Sequence, residues 1–425
     1  MFKKSVLSNG VRVVTENHPY SKSVAIGIWV LTGTRDEPSD QVGISHFLEH
    51  LVFKKTKTRN AYQIAKSLES LGGELNAYTT REYTNYHCTV LKEDWKLGLE
   101  ILADLVCNMD LIKKDFELEK KVILQEIAMS DDADEEIIYD YFFEEIYKNH
   151  PLGRQILGQS ETIQTMTQKK VIDYYKKYYQ GQNLIVSAAG PLDHDELVIE
   201  SQKFFRGRKN FNLPSVRRAP RWKVARKIFE KEMEQAHILL GFPSTSFQDK
   251  YRFEAFIMNS LLGGGMTSRL YQSIREKQGL AYSVFSSLNT NVDSANISIY
   301  AGCDTSKMKK VMHIIADELL KLKKDGFKKS DIDLFKTQVR GQLLMGSDDI
   351  DNRMSSLGVN EMIFNEYRSV EAVIEKINLV TEKTMAAYIK DHFDLSKVSV
   401  ILMGPKLKEH KEWLENYDFT KKRNS

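Results

Sequence analysis

The sequence predicts an α+β protein made of two homologous α/β-sandwich halves, each a mostly antiparallel sheet flanked by helices. Three observations carry that expectation. Segments recur in the same order at an offset of about 215 residues. Short apolar runs of strand length alternate irregularly with long amphipathic stretches, which is the α+β pattern. Hairpin-like neighbours such as GGELNAYTTREYTNYHCTVL set consecutive strands side by side.

The repeat rests on three pairs. YYKKYYQGQNLIVSAAGP (174–191) and AAYIKDHFDLSKVSVILMGP (386–405) both read as a helix end, a turn, a buried strand and Gly-Pro. LIKKDFELEKKVILQEIAM (111–129) shares its spacing with GFKKSDIDLFKTQVRGQLLM (326–345), and KSVAIGIWV (22–30) parallels QAHILLGFP (235–243). Two amphipathic helices resemble each other by chance often; three pairs in one order favour duplication. The join is expected in RGRKNFNLPSVRRAPRW (206–222), which carries two prolines and clustered arginines. This sets an N-terminal domain at 1–207, a linker at 208–222 and a C-terminal domain at 223–425.

In the first half, strands are expected near 11–16, 23–31, 74–79, 83–91 and 184–189, and helices near 43–53, 60–71, 94–108, 112–129 and 135–147. The run VAIGIWVL (24–31) is the longest apolar stretch near the start and is of strand length; nothing approaches the ~20 apolar residues of a membrane helix. The start, MFKKSVLSNGVRVVTENHPY, has no apolar core of a secretory signal. With 61 basic and 58 acidic residues the net charge is +3, too balanced to draw nucleic acid or an anionic membrane. Cys88, Cys107 and Cys303 are far apart and odd in number, so no disulfide framework is expected and a reducing compartment suits them. The expectation is a soluble cytoplasmic protein with no nucleic-acid or membrane partner.

Chemistry concentrates in HFLEH, residues 46–50. On a helix His46 and His50 lie about 40° apart, and Glu49 about 60° to the other side of His46. Two imidazoles so placed can share a zinc ion, and the carboxylate beside the open position suits a general base toward metal-activated water. A helix carrying two surface histidines is the competing reading. Phe47, Leu48, Leu51, Val52 and Phe53 argue for a buried helix instead, where an unpartnered Glu49 would be costly. Such a site still lacks a third ligand. In the 112–129 helix, Glu119 and Glu126 project about 20° apart, within an apolar arc of Phe116, Leu118, Val122, Ile123, Ile127 and Met129. One could ligate the metal while the other orients a ligand histidine; alternatively, one or both pair with buried arginines.

GISHFLEHLVF, LESLGGELNAYTTREYTNYHCTVL and EKKVILQEI together resemble the pitrilysin/insulinase group of inverzincin metallopeptidases, with their inverted H-x-x-E-H motif. Within it the chain looks like the mitochondrial-processing-peptidase subfamily and its bacterial relatives, over nearly its whole length. The resemblance implies a zinc endopeptidase with one Zn2+ per chain, held by His46, His50 and Glu126. It implies Glu49 as general base and Glu119 as the residue supporting the site. It makes GGELNAYT (72–79) the sheet edge on which a peptide adds as a strand, with Gly73, Asn76 and Ala77 as substrate-binding residues. The competing reading of the two glycines is a turn before a hairpin.

In the second half, GGGMTSRLYQSIREKQGLAYSV (263–284) resembles the family's arginine–tyrosine segment, which makes Arg275 and Tyr282 catalytic and substrate-binding residues at the oxyanion. Phe335 and Gln342 stand where Glu119 and Glu126 stand, and no H-x-x-E-H follows residue 220, so only the first half is expected to hold metal. The family likeness further implies halves facing each other as a clamshell around short or unfolded peptides. Because the chain carries both the zinc motif and the arginine–tyrosine segment, a homodimer is expected. One departure is Lys54-Lys55-Thr56, where relatives often have Lys-Gly-Thr. The alternative function is a non-catalytic core, scaffold or peptide-binding homologue; such relatives lose one or more of the five metal-site residues that are all present here.

Overall fold

The computed structural model describes residues 1–210 and 217–421, so the middle of the expected 208–222 linker lies outside the described residues. The chain forms two compact units, and neither is one continuous stretch. The first comprises Met1–Met129, Arg154–Arg217 and Leu344–Arg368; the second comprises Ser130–Gly153, Arg218–Leu343 and Ser369–Ser425.

The first unit is built on strands β1 (Phe2–Val6), β2 (Arg12–Asn17), β3 (Ser23–Val30), β4 (Glu74–Thr79), β5 (Thr84–Leu91) and β6 (Leu184–Gly190). They pair in the order β1-β2-β6-β3-β5-β4. The β2–β6 pair is parallel and the others are antiparallel. β3 is buried on both faces, as its continuous apolar run requires. Val24, Ile26 and Ile28 join Phe47, Leu48 and Leu51 of the Ile44–Val52 helix and Leu99 and Leu102 of the Trp95–Cys107 helix in one core. The alternate residues of β3 point to the other face. There Ala25 and Trp29 meet Ile350, Met354 and Leu357 of the Ile350–Phe364 helix. That contact is close: a Cβ at Gly358 would stand 2.1 Å from the Trp29 indole. Two buried ion groups pin the same helix, Arg353 to Glu16 at 2.5 Å and Glu361 to Lys4 and Arg12 at 2.7 and 3.2 Å.

The second unit repeats the plan with β7 (Arg226–Glu230), β8 (Ala236–Ser244), β9 (Ala281–Thr290), β10 (Ala295–Cys303) and β11 (Ser399–Gly404), ordered β7-β11-β8-β10-β9. Its β7–β11 pair is parallel, like β2–β6, and the remaining pairs are antiparallel. One face of this sheet is covered by the Asp134–Ile146 helix, whose Ile138 and Phe142 pack with Leu239, Tyr300 and Ile401. The two covering helices follow equivalent repeat helices, Lys113–Asp132 and Lys329–Gly346. Each half of the sequence therefore supplies the helix that covers the other half's sheet.

The sheet-plus-helix class is as expected, and the strands and helices expected in the first half begin and end within a few residues of their expected positions, while the edge strand β1 was not anticipated. One expectation fails. On the Lys113–Asp132 helix the buried positions are Phe116, Glu119, Ile123 and Ile127, while Leu118 and Met129 are 55% and 73% exposed and Val122 is also exposed. The buried stripe is narrower than the projected arc, because projection shows which side chains share a side but not which side meets the core. The repeat agrees with the narrower stripe: Ile332, Phe335 and Val339 are the buried residues of the Lys329–Gly346 helix, at the positions of Phe116, Glu119 and Ile123.

Candidate metal centre

The Ile44–Val52 helix starts at Gly43, whose φ of 92° is in the left-handed region. A side chain there would stand 2.7 Å from the Gly158 backbone. The amides of Gly43 and Ser45 each donate to one oxygen of the buried Glu37 carboxyl, at 2.8 Å. Eight of the nine helix residues are buried, and His50 is the one left half-buried. This fixes the helix and leaves the two histidines on the side toward Lys113–Asp132.

Three donors converge there. Glu126 Oε2 stands 3.6 Å from His50 Nε2 and 3.9 Å from His46 Nε2. Glu126 Oε2 is enclosed and hydrogen-bonds nothing among the described residues, although the side chain as a whole is 42% exposed. Donors about 2.1 Å from a shared tetrahedral ion stand about 3.4 Å from each other, so these separations fit one divalent cation. Without one, electron-pair donors would face each other uncompensated. Among the described residues this is the one group of three or more metal-ligating side chains so arranged.

The surroundings prepare the ligands unequally. Glu119 Oε1 lies 2.8 Å from His50 Nδ1, which holds the proton on that nitrogen and leaves Nε2 free to ligate. Lys54 Nζ lies 2.6 Å from the other Glu119 oxygen. Burial opposes the Glu119 charge, but His50 and Lys54 outweigh it and hold the carboxyl below its ordinary range. For His50 burial also works against charge, and the Glu119 hydrogen bond with the Glu126 and Glu49 carboxylates raises its pKa on balance. Burial, with help from His50, pushes His46 down to about 3, so its ring is neutral at physiological pH. His46 Nδ1 has no partner among the described residues.

Glu49 is buried and accepts a 2.5 Å hydrogen bond from the Thr79 hydroxyl. Its pKa is raised by burial, against the opposing pull of Thr79 and His50. Thr79 ends β4, which pairs with β5 and with no other strand among the described residues, so its second edge is free there. On β4, Asn76 is exposed and its Oδ1 accepts from the Ala77 amide at 2.8 Å. Gly73 sits just before the strand, where a Cβ would stand 3.0 Å from Val90. Sequence reasoning missed Thr79 and Lys54. Lys54 had a local signal, since it follows His50 by four residues; Thr79 had none beyond lying at the end of GGELNAYT.

Arg275 and Tyr282 belong to the second unit. Arg275 lies on a short π-helix, Tyr271–Glu276, and donates to the Tyr282 carbonyl at 2.8 Å. Its guanidinium lies 5.1 Å from the Tyr271 ring centre and 4.9 Å from that of Tyr282. Tyr271, one helical turn before Arg275, is a third residue that sequence reasoning passed over.

Known proteins match the chain over its length. The family model for insulinase (peptidase family M16) matches residues 12–160, and that for the peptidase M16 inactive domain matches residues 165–339. An uncharacterized zinc protease of Mycobacterium tuberculosis is 36% identical over 95% of this chain and 93% of its own. One from Bacillus subtilis is 35% identical over 89% and 93%. Among solved structures, a protease from Helicobacter pylori superposes with a TM-score of 0.87 at 22% identity, covering 95% of this chain and 99% of its own. A putative M16-like peptidase from Alicyclobacillus acidocaldarius gives 0.84 at 19%, covering 96% and 98%; at such identities the likeness speaks for the fold. Identity above a third across almost the whole of both chains, with both family models matching in order, makes this chain a member of peptidase family M16, the insulinase family.

Proposed function

We propose that the protein is a zinc-dependent endopeptidase that cleaves short or unfolded peptides bound as an added strand on β4. The observation that carries this is the convergence of His46 Nε2, His50 Nε2 and Glu126 Oε2, with the Glu49 carboxyl beside them. The names of the zinc-protease relatives support the choice of metal. One zinc ion per chain, held by those three side chains, would supply Lewis acidity toward the peptide carbonyl and make water acidic enough to lose a proton near neutral pH.

The chain's own residues do the rest. Glu49 takes the proton of the attacking water and returns it to the departing amine nitrogen. Its raised pKa brings it closer to the working pH, where both transfers are efficient. Thr79 aims the carboxyl, and Glu119 holds His50 in the ligating tautomer. The free edge of β4 offers backbone pairing to an extended peptide with little dependence on side chains, and we assign Gly73, Asn76 and Ala77 to that contact. Arg275 and Tyr282 are assigned to the substrate carbonyl and oxyanion through the resemblance of their segment. We place the protein in the cytoplasm and assign it as a homodimer. A sedimentation measurement showing a monomer across micromolar concentrations removes the dimer. The function is tested by digesting a mixed peptide library with the wild type and with Glu49→Gln. Cleavage by the wild type alone supports the reading; no cleavage by zinc-loaded wild type leaves a non-catalytic peptide binder.

A further inference from the structure

The hairpin that joins β4 to β5 carries a buried charge at its tip. The tip is the two-residue turn Arg81–Glu82, closed by the Thr80 amide donating to the Tyr83 carbonyl at 2.8 Å. The Thr80 hydroxyl braces it, accepting from the Glu82 and Tyr83 amides. Turns normally run over the surface, yet Glu82 is only 7% exposed. Burying a charge is costly unless partners meet it. Arg35, itself buried, donates to Glu82 Oε1 at 2.6 Å.

The tip is docked on the segment that leads into the metal-site helix. The Thr34 and Arg35 amides donate to the carbonyls of Thr80 and Arg81, at 3.3 and 2.9 Å. Gly33 permits this approach, since a Cβ there would stand 2.3 Å from the Thr80 carbonyl oxygen. Asp36 follows, and then Glu37, whose carboxyl holds the opening turn of the Ile44–Val52 helix. Arg217 spans both sides of the dock. Its Nε and Nη2 donate to the two Asp36 oxygens at 3.0 and 2.7 Å, and Nη2 also donates to the Glu82 carbonyl at 2.5 Å. Two arginines thus meet two carboxylates within the first unit. Arg217 comes from the segment expected to connect the halves of the sequence, far along the chain from the other three.

We propose that Arg217 is a positioning residue for the general base. It clamps the hairpin tip onto residues 33–36, and so holds Thr79 against Glu49. The inference rests on the reading of Glu49 as the base. Thr79 immediately precedes the turn, and Glu37 immediately follows Asp36. A shift of the tip relative to residues 33–36 therefore falls first on the 2.5 Å Thr79–Glu49 hydrogen bond, whereas His46, His50 and Glu126 lie on helices outside the hairpin. Misplacing a catalytic group by about 1 Å can cost about 100-fold in rate. Lysine at this position would keep the charge but lack the planar fork that engages Asp36 with two nitrogens.

The test compares Arg217→Gln and Arg217→Lys with the wild type, and makes each substitution again in a Thr79→Val chain. Zinc content should not change. On a peptide that the wild type cleaves, kcat should fall about 10- to 100-fold in Arg217→Gln and less in Arg217→Lys, with the loss mainly in kcat rather than KM. In the Thr79→Val chain the same substitution should cost about twofold or less, because the contact it secures is already gone. Equal losses in both backgrounds, a loss that tracks zinc content or melting temperature, or an unchanged kcat overturns the proposal. Should Arg217→Gln fail to fold, Arg217→Lys carries the same comparison. Amide hydrogen exchange of the metal-free chains reads the clamp without turnover: residues 79–84 should lose protection in Arg217→Gln while β3 keeps it. If the wild type cleaves no peptide, the endopeptidase reading falls. Lost protection at 79–84 then keeps the clamp on Thr79, and unchanged protection overturns it as well.

Discussion

Glu49 and Glu119 are both buried carboxyls within reach of His50, yet their surroundings drive them in opposite directions. Glu49 has one hydroxyl donor, and burial raises its pKa. Glu119 is held between His50 and Lys54, whose combined pull exceeds the cost of burial. One is suited to carry a proton and the other to keep a negative charge behind a ligand. Replacing Glu49 by Gln keeps size and hydrogen bonding, so zinc content should stay near one per chain while peptide cleavage falls about 10²–10⁴-fold; turnover close to wild type would remove Glu49 as the base. Glu119→Gln should act on the metal instead, lowering zinc affinity or activity roughly 10–100-fold, as competition with a chelator would show. These two residues were legible in the sequence because a helix makes neighbours of residues at fixed spacing. Thr79 was not, because a contact across thirty residues of chain leaves no periodic trace.

At the scale of elements, the helix bearing HFLEH depends on Glu37, whose two oxygens each accept one amide of its opening turn. Burial raises this carboxyl from 4.5 to about 7, against the opposing pull of those amides and Arg154. The folded state therefore holds a proton that the unfolded chain has already lost. Stability from this group is full below pH 4.5 and is lost as pH rises toward 7, by roughly 3 kcal/mol at most. Urea titrations of metal-free wild type and Glu37→Gln between pH 4.5 and 8 should diverge in slope over that window and run parallel above it. A second element-level test concerns the Ile350–Phe364 helix. Gly358→Ala places a methyl group against Trp29, and overpacking of this kind costs about 1–3 kcal/mol. Alanine's better helix propensity returns at most about 1 kcal/mol, so a net loss in denaturant midpoint is expected; no loss would mean the helix docks less tightly on the sheet.

For the whole molecule, the exchange of covering helices means that the two units do not coincide with the two halves of the sequence. Residues 1–217 expressed alone would lack the Ile350–Phe364 helix and would expose Val14, Ala25, Trp29 and Ile185 to water. Such a fragment should aggregate or bind a hydrophobic dye. Adding the 344–368 segment in the same chain should reduce this, with the Asp134–Ile146 face that normally packs on the other sheet as the remaining exposed surface. A soluble, cooperatively unfolding 1–217 fragment would show that the exchanged helix is dispensable.

The sequence by itself determined whatever depends on short-range periodicity. Alternation and apolar runs placed five of the six strands of the first half, β1 being the exception, and the repeat offset announced two similar sheet-plus-helix plans. Four- and seven-residue spacings put His46 with His50 and Glu119 with Glu126 on common helix sides. Only the tertiary structure decided what depends on which surfaces meet. It left Leu118 and Met129 in water while burying Glu119, because the helix turns its narrow Phe116–Ile123–Ile127 stripe to the core. It sent Ile350–Phe364 and Asp134–Ile146 each to the sheet of the other half, an outcome that no local pattern distinguishes from packing at home. And it enclosed the Asn85 amide and His87 Nδ1 with no hydrogen-bond partner among the described residues, since hydrogen-bond satisfaction is settled by neighbours in space rather than in sequence.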